Sequence, residues 1–504
     1  MRFASWLTLV TAVPAVALAI LGGCEVVADL GRYGSSPLPD RPDPPDACNA
    51  CGSRCCAQGS TCLGTEGAGT CSDDIVEVSA GTESSCAVLA DGSLWCWGGN
   101  QFGTLGVEPE GDSSCVNGGV SVACRPKPVR VPGLSDVAHV SAGEYFVCAI
   151  KRDSSVWCWG KNAKGVLGHE AGTSGDRPCP VSLEPDAGSE PCNPTPQRVA
   201  DLRALEVSSG ALHVCALQLD GAVACWGTNK EWELGEPSAA VSERATPRVI
   251  PSIPPSVHVA TGQSWHSCAI AADGGAVWCW GNASHGELGH PQELDKDCKE
   301  GCLPMPVSTA AIGEDGGAMY QPFEGATEVR AGFLFSCARH RSGQVFCWGD
   351  ESIGTVGGPT DGGIQRAPVA IAGLSNAQTI DARFQHACAL LEDGSVRCWG
   401  DNTLGSLGIG NIAGERCMPE NSGTRQTCQR VPQAVLSNGA MAGITTGVAS
   451  TFAWSDDRRS IWGWGSNDPA RLGHTPRTQD DLTNCNDQLR SLCNPFPRRV
   501  IPFP

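Results

Sequence analysis

The chain is 504 residues long, too long for one compact core and suited to an array or to several domains. With 63 Gly, 35 Pro and only 18% charged residues, its composition disfavours long helices and suits short strands joined by turns. A formal net charge of −19 argues against nucleic acid and acidic membrane surfaces as partners.

The N-terminus reads as an export signal. Arg2 supplies a short positive region, and residues 6–21 are an apolar stretch too short for a comfortable membrane span. That stretch ends Leu21-Gly22-Gly23-Cys24, which resembles the lipobox of bacterial lipoproteins. The resemblance implies a signal peptide over 1–23 and lipid modification of Cys24. Two or more acyl chains would anchor the chain firmly. Residues 24–47 then form a tether. Five prolines between Ser35 and Asp46 favour an extended spacer rather than helix or sheet.

Residues 48–71 hold Cys48, Cys51, Cys55, Cys56, Cys62 and Cys71. The C-x₂-C start invites a zinc reading, but the segment has no histidine. In an exported chain, three disulfides are the better reading, with 15 connectivities open. So little apolar side chain is present that covalent links must hold the module.

From Ile75 to the end one unit recurs seven times, which predicts an all-β array. In the first copy, Cys86-Ala-Val-Leu alternates as a strand, Ala90-Asp91-Gly92 turns, and Ser93-Leu-Trp-Cys-Trp97 returns. Val76-Glu-Val78 and Pro128-Val-Arg-Val131 signal two further strands, making four per unit. Such units cannot bury both sheet faces alone and must stack. Each copy ends in a variant of WGxNxxGxLG. Its tryptophans, Trp97, Trp159, Trp226, Trp280, Trp348, Trp399 and Trp464, read as the packing layer between units.

The pattern G-x-x-H/S-x-C-A-L, then D-G-x-V, W-G-x-N and G-x-L-G, resembles the regulator of chromosome condensation repeat. It covers residues 75–504 and implies a seven-bladed β-propeller, here preceded by a small disulfide-rich module. The family's founding member is a nuclear guanine-nucleotide exchange factor that binds chromatin. An exported, acidic, cysteine-rich chain is a poor vehicle for that activity, which stands as a remote alternative.

The cysteines check the fold independently. Six units carry a pair flanking the hairpin turn: Cys86/Cys96, Cys148/Cys158, Cys215/Cys225, Cys268/Cys279, Cys337/Cys347 and Cys388/Cys398. Directly opposed strand positions lie within disulfide reach. In the seventh unit Phe452 faces Gly463 instead, an aromatic over a glycine. Tryptophan-to-tryptophan spacings of 62, 67, 54, 68, 51 and 65 mark long loops in the first, second, fourth and sixth units. Those loops hold Cys115/Cys124, Cys179/Cys192, Cys298/Cys302 and Cys417/Cys428, and the seventh unit holds Cys485/Cys493. Each insertion is therefore expected to be closed by a local disulfide. With Cys24 lipidated, no cysteine is left over as a nucleophile.

No catalytic motif, cofactor fingerprint or metal site is legible. His213, His266 and His386 share one register, but Ser84, Phe146, Phe335 and Ser450 break any ring, so these histidines read as packing residues. Asp295, Asp297 and Glu300 lack the spacing of a calcium loop. The expectation is a non-enzymatic, lipid-anchored binding scaffold in the cell envelope or on the cell surface, with an unknown protein or glycan ligand and no nucleic acid. Two alternatives stand. One is a secreted inhibitor, since the propeller also resembles the fold of a bacterial β-lactamase inhibitory protein. The other is an enzyme working in the propeller mouth. Clustered carboxylates or histidines in the mouth would favour an enzyme; exposed aromatics on one rim would favour a protein partner.

Overall fold

The structure is a computed structural model that describes residues 49–500 apart from 52–53, 57–59, 64–69, 118, 185, 237–240, 291–301, 313–317, 358–362, 413, 418–425, 438, 477–480, 483–484 and 486–491. Within them, all regular structure is β-strand. The repeat folds as a four-stranded antiparallel sheet. In the first unit its strands are Ile75–Ala80, Ser84–Leu89, Leu94–Gly99 and Val120–Arg130. Seven such units follow one another. The second and third share one strand, Ser189–Ser209, whose first part closes one sheet and whose last part opens the next.

The first strand of each unit touches the first strand of the next, and that of the seventh unit touches that of the first. The units therefore close into a ring with these strands innermost, the arrangement of a β-propeller. Between units, the tryptophans form the packing layer. All seven are fully buried. Each indole N–H donates to the carbonyl of the Gly-x-Leu-Gly turn of the preceding unit: Trp159 to Thr104 at 3.0 Å, Trp226 to Val166 at 2.8 Å, Trp280 to Glu233 at 2.8 Å. Trp348, Trp399 and Trp464 repeat this on Glu287, Thr355 and Ser406. Trp97 completes the circle on Arg471 of the seventh unit, at 2.9 Å.

The rest of the WGxNxxGxLG motif prepares that carbonyl. Asn100 accepts the Leu105 N–H through Oδ1 at 3.0 Å and donates from Nδ2 to the Val107 carbonyl at 3.2 Å, holding the turn shut. Asn162, Asn229, Asn402 and Asn467 do the same for Leu167, Leu234, Leu407 and Leu472. In the fifth unit Glu351 takes the place of asparagine, and its carboxylate accepts the Val356 N–H at 2.8 Å.

The small module pairs Asn49–Cys51 with Arg54–Cys56 and Cys62–Leu63 with Thr70–Cys71, and Cys56 is bonded to Cys71. The chain leaving it joins the ring at the Asp-Gly turns. The Asp91 N–H donates to the Ser72 carbonyl and Ala90 N–H to Asp74, while Ile75 N–H donates to Arg458 of the seventh unit. The chain thus enters at the seam between the first and seventh units, at the Asp-Gly end of the ring.

Candidate functional site

The structure puts the hairpin cysteines directly opposite each other. Cys86–Cys96, Cys148–Cys158, Cys215–Cys225, Cys268–Cys279, Cys337–Cys347 and Cys388–Cys398 are bonded, each with Cα atoms 4.1 Å apart. In the loops, Cys115–Cys124, Cys179–Cys192, Cys417–Cys428 and Cys485–Cys493 are bonded at Cα separations of 5.8 to 6.0 Å. Cys302 opens the strand Cys302–Pro306, while Cys298 and Cys24 lie outside the described residues, as do Asp295, Asp297 and Glu300. Phe452 is fully buried opposite Gly463, where an added Cβ would come 2.8 Å from its ring.

The three histidines in register do not converge on a ligand. His213 Nε2 meets Ser267 Oγ of the next unit at 2.9 Å, His266 meets Ser336 at 2.9 Å, and His386 meets Thr451 Oγ1 at 2.8 Å. Histidine stands where the next unit offers a hydroxyl. Phe146 and Phe335 stand where it offers Val214 and Ala387. Burial pushes His213 down to about 3 and His266 and His386 down to about 4, so all three are neutral linkers between units.

The channel wall carries a second, unpredicted set of polar side chains. The innermost strand of each unit presents N–H groups that no strand pairs, a liability of any sheet edge. Side chains of the preceding unit accept them. Ser79 Oγ takes the Ala142 N–H at 3.0 Å, Ser141 that of Ser209 at 2.9 Å, and Ser208 that of Thr261 at 2.9 Å. Further from the mouth, Glu77 takes Val140, Glu206 takes Val259 and Glu328 takes Ile380, at 3.0–3.1 Å. The other oxygens of these carboxylates pair with His139 at 2.9 Å, His258 at 2.8 Å and Arg330 at 2.6 Å. Although burial pulls His139 down, the Glu77 carboxylate outweighs it and lifts the imidazole to about 9. Carboxylates and histidines do cluster here, but as a belt whose oxygens are spent on the neighbouring backbone.

The mouth is built from the seven turns between first and second strands. Six turns begin with glycine: Gly81, Gly143, Gly210, Gly262, Gly332 and Gly447. The reason is close approach, since a Cβ on Gly81 would lie 2.5 Å from the Gly143 carbonyl oxygen of the next unit. In the sixth unit Arg383 takes this place. Its guanidinium donates to the carbonyls of Ala80 at 2.7 Å, Ala142 at 2.6 Å and Ser209 at 2.5 Å, in the first, second and third units. Those units lie across the ring from the sixth, so the side chain spans the channel at its mouth. Burial lowers Arg383 to about 10, which leaves it cationic at neutral pH.

Around Arg383 the turns carry bulky side chains. Tyr145, Trp265, Leu334 and Phe384 adopt φ of 71°, 63°, 83° and 51°, a conformation costly for such residues and typical of functional loops. The turn of the fourth unit is one residue longer than that of the first, and its Trp265 is 41% exposed. Phe333 and Phe384 pack with centroids 5.1 Å apart, and Tyr145 stands edge-on to Phe102. Beside them Glu83 is buried, accepts from Asn117, and is pushed by burial up to about 7 despite nearby Arg471. The hairpin of Ser113–Asn117 that supplies Asn117 belongs to a disulfide-closed insertion, which walls the same end of the ring. Sequence reasoning missed this crown because its turns share little beyond their leading glycine. The one available signal was Arg383 interrupting a run of glycines.

Models of the Regulator of chromosome condensation (RCC1) repeat match residues 91–150 and 153–217, and residues 75–104, 137–166, 326–352 and 383–406. The chain is 25% identical over 379 residues to mouse regulator of chromosome condensation, covering 72% of this chain and 80% of that protein. It is 32% identical over 216 residues to the mitochondrial RCC1 domain-containing protein RUG3 of Arabidopsis thaliana, covering 42% and 43%. With human E3 ubiquitin-protein ligase HERC2 it shares 26% identity over 396 residues, 76% of this chain but only 7% of the ligase. Among solved structures, Prp20p from Saccharomyces cerevisiae superposes with a TM-score of 0.62 at 18% identity over 85% of this chain and 88% of that one. Human WBSCR16 superposes at 0.57 and 21% identity, over 76% and 87%. These likenesses agree with the repeat, the ring and the tryptophan layer: over the matched residues the chain carries RCC1 repeats, and it shares the fold of the RCC1-type propellers.

Proposed function

We propose that the chain is a lipid-anchored, extracytoplasmic scaffold that binds a protein partner on its crown. One observation carries this reading. The turns at one end of the ring present Tyr145, Leu212, Trp265, Phe333 and Phe384 partly or largely exposed, where a soluble ring would gain nothing from them. Aromatic side chains on a rigid frame suit protein recognition, and disulfide-closed loops limit the entropy lost on binding. The relatives are compatible, since yeast Prp20p has binding properties to Gsp1p and histones.

The lipid anchor rests on Leu21-Gly22-Gly23-Cys24 and the apolar run before it. Within the described residues, the chain enters the ring at the Asp-Gly end, opposite the crown. Intact-mass measurement of the mature N-terminus tests the anchor: acyl groups on Cys24 are expected, and a free N-terminus elsewhere overturns it.

Crown binding is tested with a photo-crosslinking amino acid placed in turn at Trp265 and at Asp91 of the full chain, in cells that express it. A discrete crosslinked protein from Trp265 and none from Asp91 is the expected result. Crosslinks confined to Asp91 overturn the reading.

A further inference from the structure

We propose that Arg383 is the docking point for a carboxylate carried by an extended segment of the crown's protein partner. The proposal rests on the crown reading and names the chemistry of its ligand.

Arg383 differs from its six counterparts in kind. Glycine suffices to build the turn in the other six units, so the turn itself does not require arginine. Of the five N–H donors of a guanidinium, three go to the carbonyls of Ala80, Ala142 and Ser209. Those bonds fix the plane of the group across the channel axis. Nε–H and the second Nη2–H form no hydrogen bond with the described residues, and the side chain is only half-buried. A preorganised guanidinium with two free donors on one edge is the complement of a carboxylate, which it can grip with two parallel bonds.

Most of the neighbouring carboxylates are already engaged by other groups. Asp381 is engaged by Arg330 at 3.0 Å and by the Thr446 N–H. Glu83 is held by Asn117 and faces Arg471. Lys161 lies over the rings of Phe102 and Tyr145 and pairs with Glu190 at 3.1 Å. Asp381, though so engaged, and Glu144, raised by burial and attracted by both Lys161 and Arg383, are the carboxylates that a ligand must outcompete for the guanidinium. In a chain of net charge −19, the floor of the crown is thus a cationic spot ringed by aromatics. An acidic residue flanked by apolar ones fits it, with Trp265, Phe333 and Phe384 taking the flanks.

The test uses the full chain in detergent and fluorescent hexapeptide pools of random apolar sequence. One pool carries a central Asp and an amidated end, one a central Asn and an amidated end, and one a central Asn with a free C-terminal carboxylate. The Asp pool is expected to bind at least about tenfold tighter than the amidated Asn pool, the worth of a charge-assisted bond. The third pool separates a side-chain carboxylate from a chain terminus. Arg383→Gly, which installs the residue of the other six turns, should reduce the discrimination to less than about twofold while the tryptophan fluorescence stays native. Arg383→Lys keeps the charge without the fork and should retain about threefold, and Glu144→Gln, which removes one competitor, should tighten the Asp pool about threefold. Equal binding of the Asp and Asn pools, no binding of either, or full discrimination in Arg383→Gly overturns the proposal. If that happens while Trp265 still crosslinks to a partner, the carboxylate fails and the crown reading stands. Crosslinks confined to Asp91 instead remove the crown itself.

Discussion

The two ends of the ring obey different rules. At the Asp-Gly end the turns are built on one plan. The side chain of Asp91, Asp153, Asp220, Asp393 or Asp457 accepts the N–H two residues on, at 2.8 to 3.1 Å. The bond from Ser155 holds Asp153 below the usual carboxylate range, and that from Ser395 does the same for Asp393. Gly92 takes a φ of 78° there because the turn requires it. At the crown end no two turns have the same residues, one is longer, and one replaces glycine with a channel-spanning arginine. Repetition survives where each unit must close its own hairpin. It lapses where the turn faces outward, which is where a ligand can be read.

The sharpest way to break this contrast is to attack the layer common to all units. Trp226→Ala should cost about 3–5 kcal/mol, since it removes a fully buried indole and strips the Val166 carbonyl of its donor. Denaturant unfolding measures it, and a loss under about 1 kcal/mol would deny the layer its role.

Acid should come next. His213, His266 and His386 are held neutral down to about 3, 4 and 4, whereas in the unfolded chain each takes up its proton near 6.5. Their contribution is whole above pH ~6.5 and is lost as pH falls toward ~4, by up to about 3 kcal/mol for each. Glu83 and Glu233, raised by burial to about 7, act in the opposite sense and cost stability as pH rises from 4.5 to 7. The denaturation midpoint of His386→Gln, followed from pH 7 to 4, should fall less steeply than that of the parent. An unchanged slope would mean that this histidine does not titrate as its burial requires.

Removing one hairpin disulfide by Cys215→Ala with Cys225→Ala should cost about 2–3 kcal/mol, the loop entropy of a short closure. The matching loss for Cys115 and Cys124 should fall on the crown: stability changes less, and crosslinking from Trp265 weakens. Peptide mapping without reduction should find each pair within its unit; a bridge between units would contradict the hairpin register.

The smallest effect on stability belongs to the crown. Trp265→Ala should shift unfolding by no more than about 0.5 kcal/mol, as expected of an exposed side chain, yet weaken partner capture at least about tenfold. A large loss of stability there would make Trp265 a structural residue and erase the difference between the two ends.

Much of this was legible from residues alone. A hairpin is a local object: cysteines ten apart across an Asp-Gly turn must face each other, and tryptophans at one repeat position must share one environment. Seven copies of a unit that cannot bury both its faces imply stacking. The sequence likewise shows that histidines 213, 266 and 386 stand in a broken register, and so form no ring. What it could not show is which groups meet across the axis. That Trp97 closes the circle on Arg471, that Glu77 caps the edge of the next unit's strand, and that Arg383 reaches units one, two and three are contacts between residues separated by 174 to 374 positions or set by the order of the ring. Local pattern fixes the strand and the turn, because both are decided within about ten residues. The mouth is decided by ring closure, which brings seven separate turns to one place and gives a lone arginine three carbonyls to hold.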